Sequence, residues 1–219
     1  MRKTLLFDFD GTLFDSLPAV GSAIIGMLER YGKTGYTLED MRKCVGPPLE
    51  HSFSKFFCFP DDEIQNCIET YRELHAKLLD RYTPYDGIVD ALKALRSAGY
   101  RLVVATSKWE SNARKMLVER GMDGFFDLIA GAADGRTAGK SEVIAYILDE
   151  LRLGKSEALM IGDRLYDVEG AAAFGIPTLG VLWGFGSREE LEGAGAIACV
   201  ETPREMVELI LRTGGDCLE

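Results

Sequence analysis

Pairs of acidic and hydroxyl residues directly follow short apolar runs at several distant points of this 219-residue chain. Asp8 and Asp10 follow Lys3 to Phe7. Thr106, Ser107 and Lys108 follow Leu102-Val103-Val104-Ala105. Asp163 and Asp167 follow Ala158-Leu159-Met160-Ile161, and Lys140 stands just before a helical pattern. Three or four carboxylates gathered in one cleft repel each other unless one keeps a proton or a cation neutralises them. An oxygen donor set without His or Cys selects Mg²⁺, which takes one or two carboxylates with phosphate and water. A magnesium ion between Asp8, Asp163 and a phosphate oxygen meets that electrostatic requirement. Lys140 and the Thr106 hydroxyl can hold the remaining phosphoryl oxygens. The chemistry that follows is in-line displacement at phosphorus, with positive groups around the equatorial oxygens.

The elements that must bring these residues together are legible as alternation. Short apolar runs at Lys3 to Phe7, Leu102 to Ala105, Phe126 to Ala130, Ala158 to Ile161 and Pro177 to Leu182 read as buried strands. Helical patterns at Ile88 to Ser97, Ser111 to Arg120, Ser141 to Leu151 and Asp167 to Phe174 separate them. Gly99, Gly121, Gly154 and Gly175 stand where helices end on glycine. Strand and helix in alternation predict a doubly wound α/β fold with a parallel sheet, whose ligands bind beyond the carboxyl ends of the strands. Residues 15 to 80 break this rhythm with amphipathic helices at about Ala19 to Tyr31, Thr37 to Lys43, Leu49 to Phe57 and Asp61 to Leu79. Turn signals lie at Gly32, Gly46-Pro47-Pro48 and Pro60-Asp61. This stretch reads as a helical insert after the first strand.

Composition narrows the partners. A net charge of −10 argues against nucleic acid, which demands clustered Lys and Arg. Five cysteines, at 44, 58, 67, 199 and 217, form no Cys-x-x-Cys pair and read as reduced, mostly buried thiols. Two histidines, His51 and His75, cannot assemble a zinc site and are expected on or near a helix surface. No run reaches transmembrane length, and Asp8 and Asp10 interrupt the first apolar run too early for a signal peptide. A cytoplasmic protein without a membrane or nucleic-acid partner is the expectation.

The ordered residues carry a resemblance. Asp8-Phe9-Asp10-Gly11-Thr12-Leu13 resembles the first motif of the haloacid dehalogenase-like superfamily. Thr106, Lys140 and Gly162-Asp163-Arg164-Leu165-Tyr166-Asp167 resemble the second, third and fourth. Asp15-Ser16, Val45-Gly46-Pro47-Pro48-Leu49, Gly175-Ile176-Pro177 and Val181-Leu182-Trp183-Gly184 are similar to the phosphoglycolate phosphatase-like branch. The resemblance implies a Rossmann-like core over residues 1–14 and 82–219 with a small α-helical cap over 15–81. It implies Asp8 as nucleophile forming an aspartyl-phosphate. Asp10 would act as acid and then base, its backbone carbonyl also binding the metal. Thr106 and the Ser107 amide would bind the phosphoryl group, and Lys140 would bridge Asp8 and the phosphate. Asp163 would be a direct Mg²⁺ ligand, with Asp167 behind it orienting the site.

Other polar residues read more plainly. Lys108 reads as surface, and Trp109, Trp183 and Phe185 as packing near the cleft. Gly184-Phe185-Gly186 is not a dinucleotide fingerprint, because Glu189 stands where a third glycine is needed. Arg42, Lys43, His51, Lys55 and Arg72 in the insert read as solvated. The expected activity is hydrolysis of a small phosphorylated metabolite, phosphoglycolate or a nucleoside 5′-monophosphate, by a monomer or homodimer. Asp10 separates the chain from dehalogenases of that superfamily, which lack this aspartate. A hexose-phosphate mutase of the same fold keeps both aspartates. A phospho-accepting signalling module is the competing class, although such modules are shorter and lack a cap.

Overall fold

The computed structural model describes residues 3–133 and 139–214; Cys217 lies outside them. The chain opens with β1 (Thr4–Phe7), leaves through β2 (Phe14–Asp15), and runs into α1 (Leu17–Arg30), α2 (Leu49–Phe57) and α3 (Asp61–His75). It returns by β3 (Thr83–Pro84) and then alternates: α4 (Ile88–Ser97), β4 (Arg101–Trp109), α5 (Glu110–Glu119), β5 (Leu128–Ala132), α6 (Lys140–Glu150), β6 (Ala158–Gly162), α7 (Leu165–Ala172), β7 (Thr178–Val181), α8 (Arg188–Ala194), β8 (Ala198–Val200) and α9 (Pro203–Thr213). Two compact units result, one comprising Met1–Leu13 and Pro84–Glu219, the other Phe14–Thr83.

The first unit is a doubly wound α/β domain. Its sheet has the order β5-β4-β1-β6-β7-β8, and every pairing is parallel. β1 lies between β4 and β6, with Phe7 opposite both Val104 and Ile161. A central parallel strand is covered on both faces, which is why its four residues are all apolar or buried. On one face Leu6, Val103, Ala105 and Met160 pack with Val143, Ile144 and Ile147 of α6 and Ala171 of α7. The strand order reverses on either side of β1, which puts the switch point at the carboxyl ends of β4, β1 and β6.

The second unit is helical. Among its described residues Ala23, Ile24, Met27 and Leu28 of α1 and Cys67, Ile68 and Tyr71 of α3 are buried. Aromatic rings fill the space: Phe53 meets Tyr71 edge-on at 6.3 Å, and Tyr31 meets Phe59 at 5.2 Å. β2 and β3 pair as a two-stranded ribbon where the chain enters and leaves. The Thr37 to Lys43 segment is a 3₁₀ helix at Glu39–Cys44, and α3 stops at His75, short of the expected Leu79. His75 departs from the surface expectation. It is buried, stacked on Tyr71 at 5.3 Å, with Nε2 2.7 Å from the Tyr82 hydroxyl; His51 is exposed.

Several other expectations change. The second core strand runs on through Thr106 to Trp109, and its register against β5 shifts between Ala105 and Trp109. Gly154 is not a left-handed helix stop. α6 ends at Glu150, and Arg152 takes the positive φ of 52° instead. α8, β8 and α9 extend the sheet and its helices beyond the predicted elements. The described cysteines are all free thiols, of which Cys44 and Cys67 are buried and Cys58 is exposed. Among the described residues, no helix is long and apolar enough to cross a membrane.

Candidate active site

The residues singled out by type and spacing converge at the carboxyl ends of β4, β1 and β6. The Asp8 N–H donates to the Ile161 carbonyl at 2.9 Å, one more rung of the sheet ladder, so the first residue past β1 is still held by its neighbour. The chain then turns tightly, with Leu13 N–H bonded to the Phe9 carbonyl at 3.1 Å and Gly11 at φ +84°. A side chain at Gly11 would strike the Asp163 carboxylate in any rotamer, besides being strained at that φ. Glycine here lets two acidic loops meet.

Lys140 joins three segments. It is the first residue of α6, buried, and its Nζ donates to Asp8 Oδ1 at 2.7 Å and to the Ala105 carbonyl at 2.8 Å. The same atom lies 2.8 Å from Asp167 Oδ1. Its stem lies where a side chain at Gly170 would otherwise sit, so α7 must be bare at that point. Burial by itself would lower the Lys140 pKa. Asp167 and Asp8 more than reverse that and hold the ammonium charged well above its ordinary range.

Asp163 is completely buried. Its Oδ1 accepts from the Thr12 hydroxyl at 3.3 Å and its Oδ2 from the Phe185 N–H at 2.8 Å. The Trp183 indole N–H donates to the Thr12 carbonyl at 3.0 Å, tying the loop after β7 to the loop after β1. A Cβ at Gly184 or Gly186 would collide with Asp163. Beyond the expected packing, the Phe185 N–H thus holds the Asp163 carboxylate and the Trp183 indole holds the Thr12 backbone. Two glycines spaced around an aromatic residue after an apolar strand were the available signal. Asp167 Oδ2 accepts from the Arg164 N–H at 3.1 Å, and Arg164 is anchored by Glu190 at 2.8 Å.

Asp8, Asp163 and Asp167 each offer a carboxylate oxygen, all within 4.8 Å of one another. Lys140 balances one of the three negative charges. Burial first, and then the neighbouring carboxylates, raise Asp8 from its ordinary 3.8 to about 7 and push Asp163 well above the carboxylate range. Such a cluster is poorly stabilised by protein alone. Its donors are hard oxygens, and each of these carboxylates keeps lone pairs beyond its described bonds. It fits a hard divalent cation of the Mg²⁺ type.

Thr106 is buried at the strand irregularity, and its Oγ1 accepts from the Lys108 N–H at 3.1 Å; Ser107 is half-buried beside it. Asp10 is half-buried, and Lys108 Nζ lies 3.2 Å from its Oδ2. Lys108 is thus no surface residue, for its side chain is 9% exposed. Trp109 is exposed at the end of β4 rather than packed. Lys43, His51, Lys55 and Arg72 are exposed, and Arg42 pairs with Glu39 at 3.5 Å.

Residues 5–181 match the haloacid dehalogenase-like hydrolase family. The tyrosine-protein kinase PtkA of Mycobacterium tuberculosis is 36% identical over 192 residues, which make up 87% of this chain but 65% of that protein. This chain therefore spans about 65% of the length of that relative. A 5′-nucleotidase of Pseudomonas aeruginosa is 35% identical over 189 residues, 85% of this chain and 86% of the other. Among solved structures, a predicted phosphatase from Clostridium acetobutylicum superposes with a TM-score of 0.92 at 37% identity, covering 97% of this chain and 99% of the other.

Proposed function

The chain belongs to the haloacid dehalogenase-like hydrolases, and from that premise we propose that it is a Mg²⁺-dependent phosphatase acting on small phosphate monoesters through an aspartyl-phosphate on Asp8. The observation that carries the reading is the Asp8 carboxylate itself. Lys140 holds one of its oxygens, and two further buried carboxylates lie within metal-sharing distance. Asp8, Asp163 and the Asp10 backbone carbonyl would hold the ion, with Asp167 behind them. Bound there, Mg²⁺ supplies charge neutralisation and orients a phosphate oxygen.

An Asp8 oxygen attacks phosphorus, and the bond to the ester oxygen breaks. The electron pair goes to that oxygen, which takes a proton from Asp10 and leaves as an alcohol. Asp10 then takes a proton from water, the water oxygen attacks phosphorus, and the bond to Asp8 breaks to release inorganic phosphate. Lys140, the Thr106 hydroxyl and the Ser107 N–H steady the phosphoryl oxygens as charge redistributes.

Asp10→Asn separates the two halves. p-Nitrophenolate leaves readily without a proton, but the aspartyl-phosphate still needs a base for its hydrolysis. The variant is expected to give a burst of nitrophenolate and then very slow turnover, with little or no burst from an alkyl phosphate. Absence of a hydroxylamine-sensitive phosphoprotein in rapid-quench samples would replace this reading with direct attack by water.

The resemblance in the motifs and the likeness to the relatives suggest two candidate substrates. Phosphoglycolate is the first candidate. A nucleoside 5′-monophosphate is the second, favoured by the likeness to the P. aeruginosa 5′-nucleotidase along 86% of its length. A panel of phosphorylated metabolites, with a tyrosine peptide and ATP included because of the mycobacterial likeness, ranks them by kcat/KM.

A further inference from the structure

Lys108 has no part in the steps above, yet its setting is unusual for a lysine just past a strand-end hydroxyl. Its Nζ lies 3.2 Å from Asp10 Oδ2 and 5.7 Å from the centroid of the buried Phe9 ring. A regular strand would alternate its side chains between the two faces of the sheet. Here β4 loses register between Ala105 and Trp109, and the Lys108 N–H is turned back onto Thr106 Oγ1. An irregularity of this kind re-aims a side chain. Taking an ammonium out of water is unfavourable unless a well-placed anion compensates it. That anion is Asp10.

The two oxygens of Asp10 are not equivalent. Oδ2 is held by Lys108, whereas Oδ1 is buried without a hydrogen-bond partner. We propose that Lys108 is a positioning residue: it clamps Asp10 through Oδ2 and so fixes the orientation in which the Asp10 carboxyl exchanges its proton. This rests on Asp10 being the acid and base of the reaction proposed above. In the first half the Asp10 proton passes to the ester oxygen as the phosphorus–oxygen bond breaks. In the second half the attacking water returns a proton to Asp10 as the bond to Asp8 breaks. Lys108 gives up no proton in either half.

Lys108→Met keeps the apolar stem over Phe9 and removes the charge, while Lys108→Arg keeps a cation. Single-turnover rapid-quench kinetics with an alkyl phosphate and with p-nitrophenyl phosphate read the two halves separately. Removing the charge is expected to slow phosphoenzyme formation from the alkyl phosphate by about 10–100-fold, within the range of general acid catalysis, and from p-nitrophenyl phosphate by less than about threefold. Hydrolysis of the phosphoenzyme slows by one factor whichever substrate formed it. KM stays within about twofold, and Lys108→Arg recovers part of the loss. Equal slowing of phosphoenzyme formation with both substrates overturns the proposal. So does a rise in KM at unchanged rates, which would make Lys108 a substrate-binding group. If Lys108→Met does not fold, Lys108→Gln serves the same comparison. A wild-type protein that forms no phosphoenzyme would sink the reading of function itself. A wild type that does, matched by an unaffected variant, sinks only the role of Lys108.

Discussion

In the sheet-bearing unit the buried polar groups include Asp8, Lys140, Asp163, Arg164 and Asp167, whereas in the helical unit, among its described residues, they are Ser16, Ser52 and His75. The helical unit keeps its ions at the surface. Arg30 and Glu73, 3.3 Å apart and about half or more exposed, are typical and contribute at most about 1 kcal/mol. Its interior is aromatic and aliphatic, and it needs no charge to specify it. The sheet unit instead gathers three carboxylates that burial and mutual repulsion disfavour, and it can do so because strand ends, backbone N–H groups and side-chain-free glycines fix each one. Charge is buried where the backbone leaves no alternative position.

The largest effect expected from breaking this contrast comes from Asp8→Asn. It removes the proposed nucleophile but also one of the mutually repelling charges, so turnover should drop by about three orders of magnitude or more while the melting temperature hardly moves. Rate assays paired with thermal melts check this, and retention of even a few per cent of the rate would remove Asp8 from its role. Gly184→Ala comes next. Its Cβ would overlap Asp163 and the Gly11 carbonyl, neither of which can yield. A fall in kcat/KM of about 100-fold is expected, since small displacements at a reacting centre cost that much. Stability should fall by about 1–3 kcal/mol in urea unfolding.

A pH effect of intermediate size follows from Asp8. Folding raises its carboxyl from 3.8 to about 7, so between those values the folded protein holds a proton that the unfolded chain releases. For the metal-free protein this contribution to stability is full below about pH 4 and is lost as the pH rises to about 7. At the proposed site Mg²⁺ would compete with that proton. The rise in melting temperature on adding Mg²⁺ should therefore be several degrees larger at about pH 8 than at about pH 5.5. Equal shifts at both values would mean that the ion does not meet Asp8. The smallest effect belongs to the helical unit. Cys58 closes α2 at φ 54° and is exposed, so Cys58→Gly should raise stability by roughly 0.5–1 kcal/mol and leave kcat unaltered.

The strands that carry chemistry were legible because each is a short, uninterrupted apolar run ending in polar residues. β1, β4 and β6 are central or next to it, buried on both faces, and their sequences read that way. β8 has three residues, two of them only half-buried, and sits at the edge; no periodicity survives in so short a segment. α9 had a signal of its own. Thr202 accepts from the Glu205 N–H at 3.1 Å with Pro203 between, a helix start that Thr-Pro-Arg-Glu spells out. In the site, carboxylates were easy to single out because paired acids after a strand are chemically loud. Lys108 was not, because one lysine in a loop looks like any solvated lysine until a strand irregularity turns it inward. The supporting Gly170 is equally silent, since what it avoids is visible only in three dimensions.

The strand order has a consequence for biosynthesis. β1 leads directly into Asp8, but one of its two neighbours, β6, arrives much later in the chain; Thr12 and its partner Asp163 are 151 positions apart. At about 5–20 residues per second, on the order of ten seconds separates their emergence from the ribosome. Phe14–Thr83 is contiguous and rich in local contacts, so it can assemble during that interval. The apolar first strand waits in the meantime without its β6 partner, a period in which a nascent-chain chaperone would have something to hold. The acidic cluster is thus completed only after most of the protein has been made, and an aborted chain that stops before Asp163 would carry Asp8 and Lys140 but lack two of the three clustered carboxylates.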